Sequence, residues 1–340
     1  MNVGRTTSSA VTGSPRRRFP IAESRVDPLL SATPLAAPPL GRLRGGPAGP
    51  ARPRAQPLAD YLSLTKPRIV ALLLVTEYLA MVTAARGWPG LGLSLVALAG
   101  GACAAGGAGA INCWYDRDID AIMGRTRGRP VPAGRIPAGH ALAFGLLLTG
   151  LAFALFWVEV NPLAAWLSLL GGLFYVLVYT VWLKRSTSEN IVIGGAAGAM
   201  PPVVGWAAVT HSVGPLALAL FAIIFLWTPP HFWALSLIVR RDYAAVGVPM
   251  RPVVVGVRRT RLAILAYSVL LAAFSLVLGV WLGAAEVALA AVLGLAFCWL
   301  AVRVLRETTG TRWARQLFRF SMLYLFALFL GTAVIAATLH

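Results

Sequence analysis

Residues 111–135 read INCWYDRDIDAIMGRTRGRPVPAGR. A long apolar segment ends at the start of this stretch, and Asn112, Asp116 and Asp120 follow at intervals of four. On a helix, positions i, i+4 and i+8 share one face. Two carboxylates and one amide oxygen therefore point the same way where the apolar segment stops. Hard oxygen donors of this kind suit Mg²⁺, which binds through one or two carboxylates and the oxygens of a substrate phosphate. Arg117, Arg125, Arg127, Arg129 and Arg135 lie close by and complement a highly charged anion. The stretch predicts a metal–diphosphate site at the mouth of a helical membrane bundle, with Asn112, Asp116 and Asp120 as the Mg²⁺ ligands. The competing reading is an acidic helix end that only pairs with neighbouring arginines. Asp118 is out of phase with this face and is expected to pair with an arginine.

Composition agrees with a bundle in lipid. The chain is 58% hydrophobic and only 12% charged, about half the charged fraction of a soluble domain, and its mean hydropathy is +0.74. Nine apolar windows run over about 69–86, 91–113, 140–158, 162–182, 190–210, 216–239, 262–283, 286–304 and 318–338. Each is near the ~20 residues that a helix needs to cross the hydrocarbon core. The fold class is thus all-α, a polytopic membrane protein of nine transmembrane helices. Before the first window, residues 1–57 are rich in Pro, Gly, Ala, Ser and Arg without an apolar period. They read as a disordered basic tail, with residues 58–340 as the membrane domain. The tail has no apolar stretch of the length a cleaved signal peptide requires.

The charges also set an orientation. If the tail is cytoplasmic, 29 of the 30 Lys and Arg residues fall on the cytoplasmic side, and Arg86 alone on the other. The N-terminus is therefore expected in the cytoplasm, the C-terminus outside, and the chemistry on the cytoplasmic face of the cell membrane. Net charge of +18 needs no nucleic acid to explain it. Cys103, Cys113 and Cys298 have neither metal-ligand nor disulfide-framework spacing.

The INCWYDRDID segment resembles the N-x-x-x-D-x-x-x-D motif of the intramembrane prenyltransferase (UbiA) superfamily. Tyr179–Ala208 (YTVWLKRSTSENIVIGGAAGAMPPVVGWAA) and Leu226–Met250 (LWTPPHFWALSLIVRRDYAAVGVPM) look like the heme branch of that superfamily, the heme O synthase family. The resemblance covers residues 58–340. It implies nine helices around a central cavity, and transfer of a farnesyl group from farnesyl diphosphate to a vinyl group of protoheme IX (heme B). Water adds in the same reaction, giving heme O. Heme A synthase or a terminal-oxidase assembly factor would be a recipient of the product. The chain departs from the wider superfamily in lacking a second Asp-rich motif. Thr228-Pro-Pro-His231-Phe-Trp stands in the corresponding region, with only Asp242 acidic.

The resemblance assigns catalytic positions to Asn112, Asp116, Asp120 and Lys184. It places Tyr179 with Lys184 as diphosphate ligands, although their spacing is five rather than the four of many relatives. Arg125 and Arg129 read either as diphosphate ligands or as ordinary basic-side charge, and Lys184 as a ligand or a snorkelling cation. Arg185, Arg240 and Asp242 are further substrate-binding candidates, for diphosphate or heme propionates, against plain loop solvation. His231 has three readings: an axial ligand of heme iron, a hydrogen-bond partner of a propionate or diphosphate, or a structural histidine. Glu77, an acid inside the first window, is expected to face protein or a cavity. Two rivals remain. One is a prenyltransferase acting on a quinone-precursor ring, and the other is a heme-binding or transport protein without transfer chemistry.

Overall fold

The computed structural model describes residues 57–339. The expected tail lies outside the described residues, except that Pro57 already opens a helix. The elements are α1 (Pro57–Leu64), α2 (Pro67–Ala85), α3 (Leu91–Tyr115), α4 (Arg117–Ile122), α5 (Ala138–Glu159), α6 (Pro162–Ser186), α7 (Asn190–Thr210), α8 (Pro215–Ile238), α9 (Arg240–Ala245), α10 (Arg251–Val254), α11 (Val257–Leu282), α12 (Ala284–Arg306) and α13 (Arg312–Thr338). Among the described residues, nine of these are long and apolar enough to cross a membrane: α2, α3, α5 to α8 and α11 to α13. They match the nine windows read from the sequence. The largest differences are at basic ends, where α11 and α13 start several residues before their windows. Arg258, Arg259 and Arg261, and Arg312 and Arg315, extend these helices beyond the apolar core, as snorkelling cations do.

Helices in lipid gain little from burying apolar surface against one another, so close packing decides which pairs meet. The α3–α5 pair shows how. A Cβ added at Gly107 would lie 2.8 Å from the Gly145 carbonyl oxygen, and one at Gly145 would lie 2.9 Å from that of Gly107. Only two glycines facing each other allow that approach. Around the rest of the bundle, α2 packs on α7, and α8 on α11 and α13, while α12 packs on α11 and α13. The central span is α8, with 67% of its apolar window buried against 22% for α5. Leu147, Val158, Leu177, Val280, Val292 and Leu295 face outward. A helix in hydrocarbon satisfies its backbone internally and leaves such side chains to lipid.

Three local irregularities shape the interior. Helix α7 stops at Gly198 and resumes at Met200, where Pro201 and Pro202 supply no N–H. Within α6, Phe174–Leu183 forms wide turns, and the Lys184 N–H bonds the Tyr179 carbonyl five residues back. Pro229 and Pro230 lie inside α8. On the basic side, Ile119, Met123, Ile191, Tyr243, Val248 and Met250 form a small apolar cluster that ties together α4, α7, α9 and the α9–α10 turn.

Candidate active site

The face read from the sequence survives a break in the helix. Although α3 ends at Tyr115, the Asp116 N–H bonds the Asn112 carbonyl and the Asp120 N–H bonds that of Asp116, each at 2.9 Å. The four-residue hydrogen-bond register thus continues through the joint with α4, and Asn112, Asp116 and Asp120 stay on one side. They are 3%, 0% and 3% exposed, so each needs partners.

Those partners come from three other segments. Asn112 Nδ2 donates to Asp116 Oδ2 at 2.7 Å and to Thr180 Oγ1 at 3.1 Å, while its Oδ1 accepts from Lys66 Nζ. Lys184 Nζ donates to Asp116 Oδ2, and Arg185 reaches Asp116 Oδ1 at 3.3 Å. Arg129 Nη1 donates to Asp120 Oδ2 at 2.6 Å. Burial works against the charge on Arg129, but Asp120 outweighs it and the guanidinium pKa is raised. Asp118, on the outer side, takes two bonds of 2.7 Å from Arg185. That guanidinium holds its carboxyl below the usual range.

A cavity of about 560 Å³ opens beneath this cluster. Lys66, Asn112, Asp120, Arg125, Arg129, Tyr175, Tyr179, Lys184 and Tyr243 line its polar end, and α2, α3, α6, α7, α8 and α13 form its walls. The five-residue spacing of Tyr179 and Lys184 is absorbed by the wide turns of α6. Because the hydrogen bond there spans five residues, both side chains reach the cavity. Deeper walls are apolar, with three exceptions of note: Glu77, 2% exposed and with Oε1 unpartnered, His231, and Thr228.

Four of the proposed positions do not line the cavity, and one of them is Asp116, fully buried against Asn112 and Lys184. Arg185 does not line the cavity; it pairs with Asp116 and Asp118 behind the wall. Arg240 and Asp242 do not line it either. At the start of α9 it is Tyr243 that turns inward, because its ring joins the apolar cluster with Ile119 and Val248; burial raises its hydroxyl pKa.

Sequence reasoning missed Lys66, Tyr175 and Thr180. Lys66 directly precedes Pro67 at the start of the first span. It adopts φ +56°, unusual for a residue before proline, and the chain reversal between α1 and α2 aims its ammonium inward at Asn112 and at the Tyr175 hydroxyl, 3.3 Å away. No local sequence pattern announces that reversal. Tyr175 had a signal in its spacing from Tyr179.

The donor set fits a hard divalent ion. Among the described residues, no group of three or more His, Cys, Asp or Glu side chains gathers as a metal cage. An ion here would take an amide oxygen and carboxylates from the acidic face, and its other ligands from substrate oxygens and water. Mg²⁺ is bound in that way.

Residues 73–336 match the model of the UbiA prenyltransferase family. The chain belongs to that family. It is a multi-pass membrane prenyltransferase, and its relatives place it in the heme branch. It is 53% identical over 280 residues to the protoheme IX farnesyltransferase of Symbiobacterium thermophilum, covering 81% of this chain and 93% of that one. It is also 51% identical over 281 residues to the protoheme IX farnesyltransferase of Roseiflexus sp., covering 82% of this chain but only 52% of that longer relative. Among solved structures, digeranylgeranylglyceryl phosphate synthase superposes with a TM-score of 0.70 at 18% identity, over 83% of this chain and 99% of that one. A UbiA homolog from Archaeoglobus fulgidus bound to GPP and Mg²⁺ gives 0.60 at 19% identity, over 81% and 99%. At such identities the likeness is one of fold.

Proposed function

We propose that this chain transfers the farnesyl group of farnesyl diphosphate to a vinyl group of protoheme IX, with addition of water, giving heme O and diphosphate. One observation carries the reading: buried oxygen donors and cations are gathered at the polar end of an otherwise apolar cavity, in a chain 53% identical to a protoheme IX farnesyltransferase.

Asn112, Asp116 and Asp120 would hold Mg²⁺, which when bound supplies positive charge to the departing diphosphate. Lys184, Arg125 and Arg129 take the diphosphate oxygens as negative charge grows on them. Two of these cations are already held by acids, Lys184 by Asp116 and Arg129 by Asp120. Their positions are therefore set before the allylic bond breaks, and preorganised charge is the strongest form of such stabilisation. Tyr179, at the same polar end of the cavity, adds a hydroxyl, and Lys66 holds the amide of Asn112 in place. The apolar walls accept the isoprenoid chain and the porphyrin and keep bulk water away from the electrophile. In this proposal residues 58–340 form the catalytic domain in the cell membrane, with the basic side and N-terminus in the cytoplasm and the C-terminus outside. Heme A synthase or a terminal-oxidase assembly factor receives the product.

The test is incubation of the purified protein in detergent with protoheme, farnesyl diphosphate and Mg²⁺, followed by mass spectrometry of the porphyrins. The expected product is heavier than protoheme by farnesyl plus water and is lost on adding EDTA. Prenylation of a hydroxybenzoate with unchanged protoheme would overturn the reading in favour of the quinone branch.

A further inference from the structure

The deep end of the cavity is closed by a group that the diphosphate end does not use. Glu77 lies on α2, eleven residues beyond Lys66, and is 2% exposed. Its side chain is clamped between two glycines. A Cβ at Gly101 of α3 would stand 2.9 Å from Glu77 Cδ, and one at Gly205 of α7 would stand 3.1 Å from Cγ. The carboxyl is thus fixed across the end of the cavity. Its Oε1 is enclosed and has no hydrogen-bond partner among the described residues. A carboxyl kept for stability would be hydrogen-bonded, so stability does not account for this one. One turn further along, the interior is filled. Met81 on α2, Ala97 on α3 and Phe156 on α5 are fully buried in an apolar cluster, and none of them lines the cavity. Glu77 therefore rests on a packed plug and forms the floor.

A continuous track leads from the diphosphate end to this floor. On α3, Gly109, Ala108, Ala105, Ala104 and Gly101 all line the cavity. They precede Asn112 by three, four, seven, eight and eleven residues, which keeps them on its face of the helix. Their small side chains leave a groove that starts directly beneath Asn112. A chain esterified to a diphosphate held at Asn112 and Asp120 enters that groove first, whereas the porphyrin is a separate molecule without this tether. The length of the groove is selective. From Asn112 to Gly101 is about 16 Å at ~1.5 Å per residue. A farnesyl main chain has eleven bonds, and at ~1.2 Å of advance per bond, as in an extended backbone, it spans about 13 Å. A fourth isoprene unit adds about 5 Å and would drive the chain into the Glu77 carboxyl.

We infer that Glu77 sets the length of the isoprenoid chain that the cavity accepts, its carboxyl being the floor on which the third isoprene unit ends. The inference rests on the proposed function, in which the diphosphate end holds farnesyl diphosphate. Two effects act together. The carboxyl occupies the space that a longer tail would enter, and a tail pressed onto it would bury its oxygens without a hydrogen bond. Glu77 is on this account a specificity-determining residue, remote from the diphosphate and from the reacting carbons.

The test supplies the full chain in detergent with protoheme, Mg²⁺ and equal amounts of geranyl, farnesyl and geranylgeranyl diphosphates, and reads the prenylated porphyrins by mass spectrometry. The wild type is expected to give mainly the farnesyl product. Glu77→Ala should raise the ratio of geranylgeranyl to farnesyl product by ~10- to 200-fold, the range over which an apolar pocket separates groups that differ in size. Glu77→Gln, of equal size, should keep the wild-type ratio whatever its rate. Gly101→Ala should push the carboxyl up the groove and shift product toward geranyl, and Glu77→Ala added to it should abolish that shift. An unchanged ratio in Glu77→Ala protein that still makes heme O would overturn the inference and leave the proposed function intact. So would a shift in Glu77→Gln as large as that in Glu77→Ala, or a wild type that takes geranylgeranyl as readily as farnesyl. If Glu77→Ala does not fold, Gly101→Ala decides, and an unchanged ratio of geranyl to farnesyl product there overturns the inference. Absence of any prenylated porphyrin from the wild type would overturn the proposed function and this inference together.

Discussion

Two stretches of helical chain deliver polar groups to the same cavity mouth by different geometries. On α3 and α4, Asn112, Asp116 and Asp120 are spaced by four, and hydrogen bonds of four-residue register run through the helix joint. On α6, Tyr179 and Lys184 are spaced by five, and the backbone widens so that the hydrogen bond also spans five. A residue interval thus states a face only when the register of the backbone beneath it is known. The acidic face follows from ordinary helical periodicity, whereas the Tyr179–Lys184 pair depends on a backbone change that its spacing alone does not declare.

The sharpest way to break this comparison is to delete one residue from each helix. Removing Trp114 turns Asp116 and Asp120 by about 100° relative to Asn112, and heme O formation is expected to fall to background. Removing Val181, which faces outward, returns Tyr179 and Lys184 to a spacing of four. It should let α6 relax to a regular helix with activity retained, at the cost of about a tenfold rise in KM for the diphosphate. Equal loss in both deletions, at equal protein folding by circular dichroism, would show that the wide turn is required for more than alignment.

Next in size is Asp116→Asn, which leaves the face in place and removes the charge that holds Lys184 and Arg185. A loss of ~10²- to 10³-fold in kcat is expected, comparable with removing one preorganised electrostatic contact, and single-turnover rates measure it. Tyr179→Phe should be milder. One hydrogen bond of about 0.5–1.5 kcal/mol corresponds to a few-fold to tenfold change in kcat/KM.

The smallest effect belongs to Asp118→Asn, since Asp118 is exposed and its pair with Arg185 lies outside the cavity. Exposed pairs contribute about 0–1 kcal/mol. The sign with pH is definite. The folded pKa of Asp118 is lowered by Arg185, so its contribution is present above the unfolded value of about 3.9 and is lost as pH falls through the folded value. Thermal unfolding in detergent should show a small difference between wild type and variant near neutrality, which disappears as the pH falls below the folded value.

Much of the fold is legible in the chain because lipid imposes a length on every span, and nine windows of that length are present. The acidic face is legible because its interval matches helical periodicity. Other parts of the site are not. Lys66 enters the cavity through a backbone reversal, and Ser321, which meets the His231 imidazole at 2.6 Å, lies 90 residues away in sequence. Tyr243 was passed over for its charged neighbours Arg240 and Asp242 because charge is conspicuous in a sequence, whereas the apolar cluster that turns an aromatic ring inward is visible only in three dimensions.

The facing glycines of α3 and α5 carry a consequence for mechanical tolerance. A methyl group at Gly145 would stand 2.6 Å from Ile111 Cγ1 and 3.1 Å from the Ile111 backbone nitrogen, one residue before Asn112. Helix α5 contributes nothing to the cavity lining, yet it is the abutment against which the acidic face is registered. Because reaction geometry is sensitive to displacements of about 1 Å, the alignment of the catalytic oxygens is maintained from the lipid-facing side of the protein, by a surface that no substrate touches.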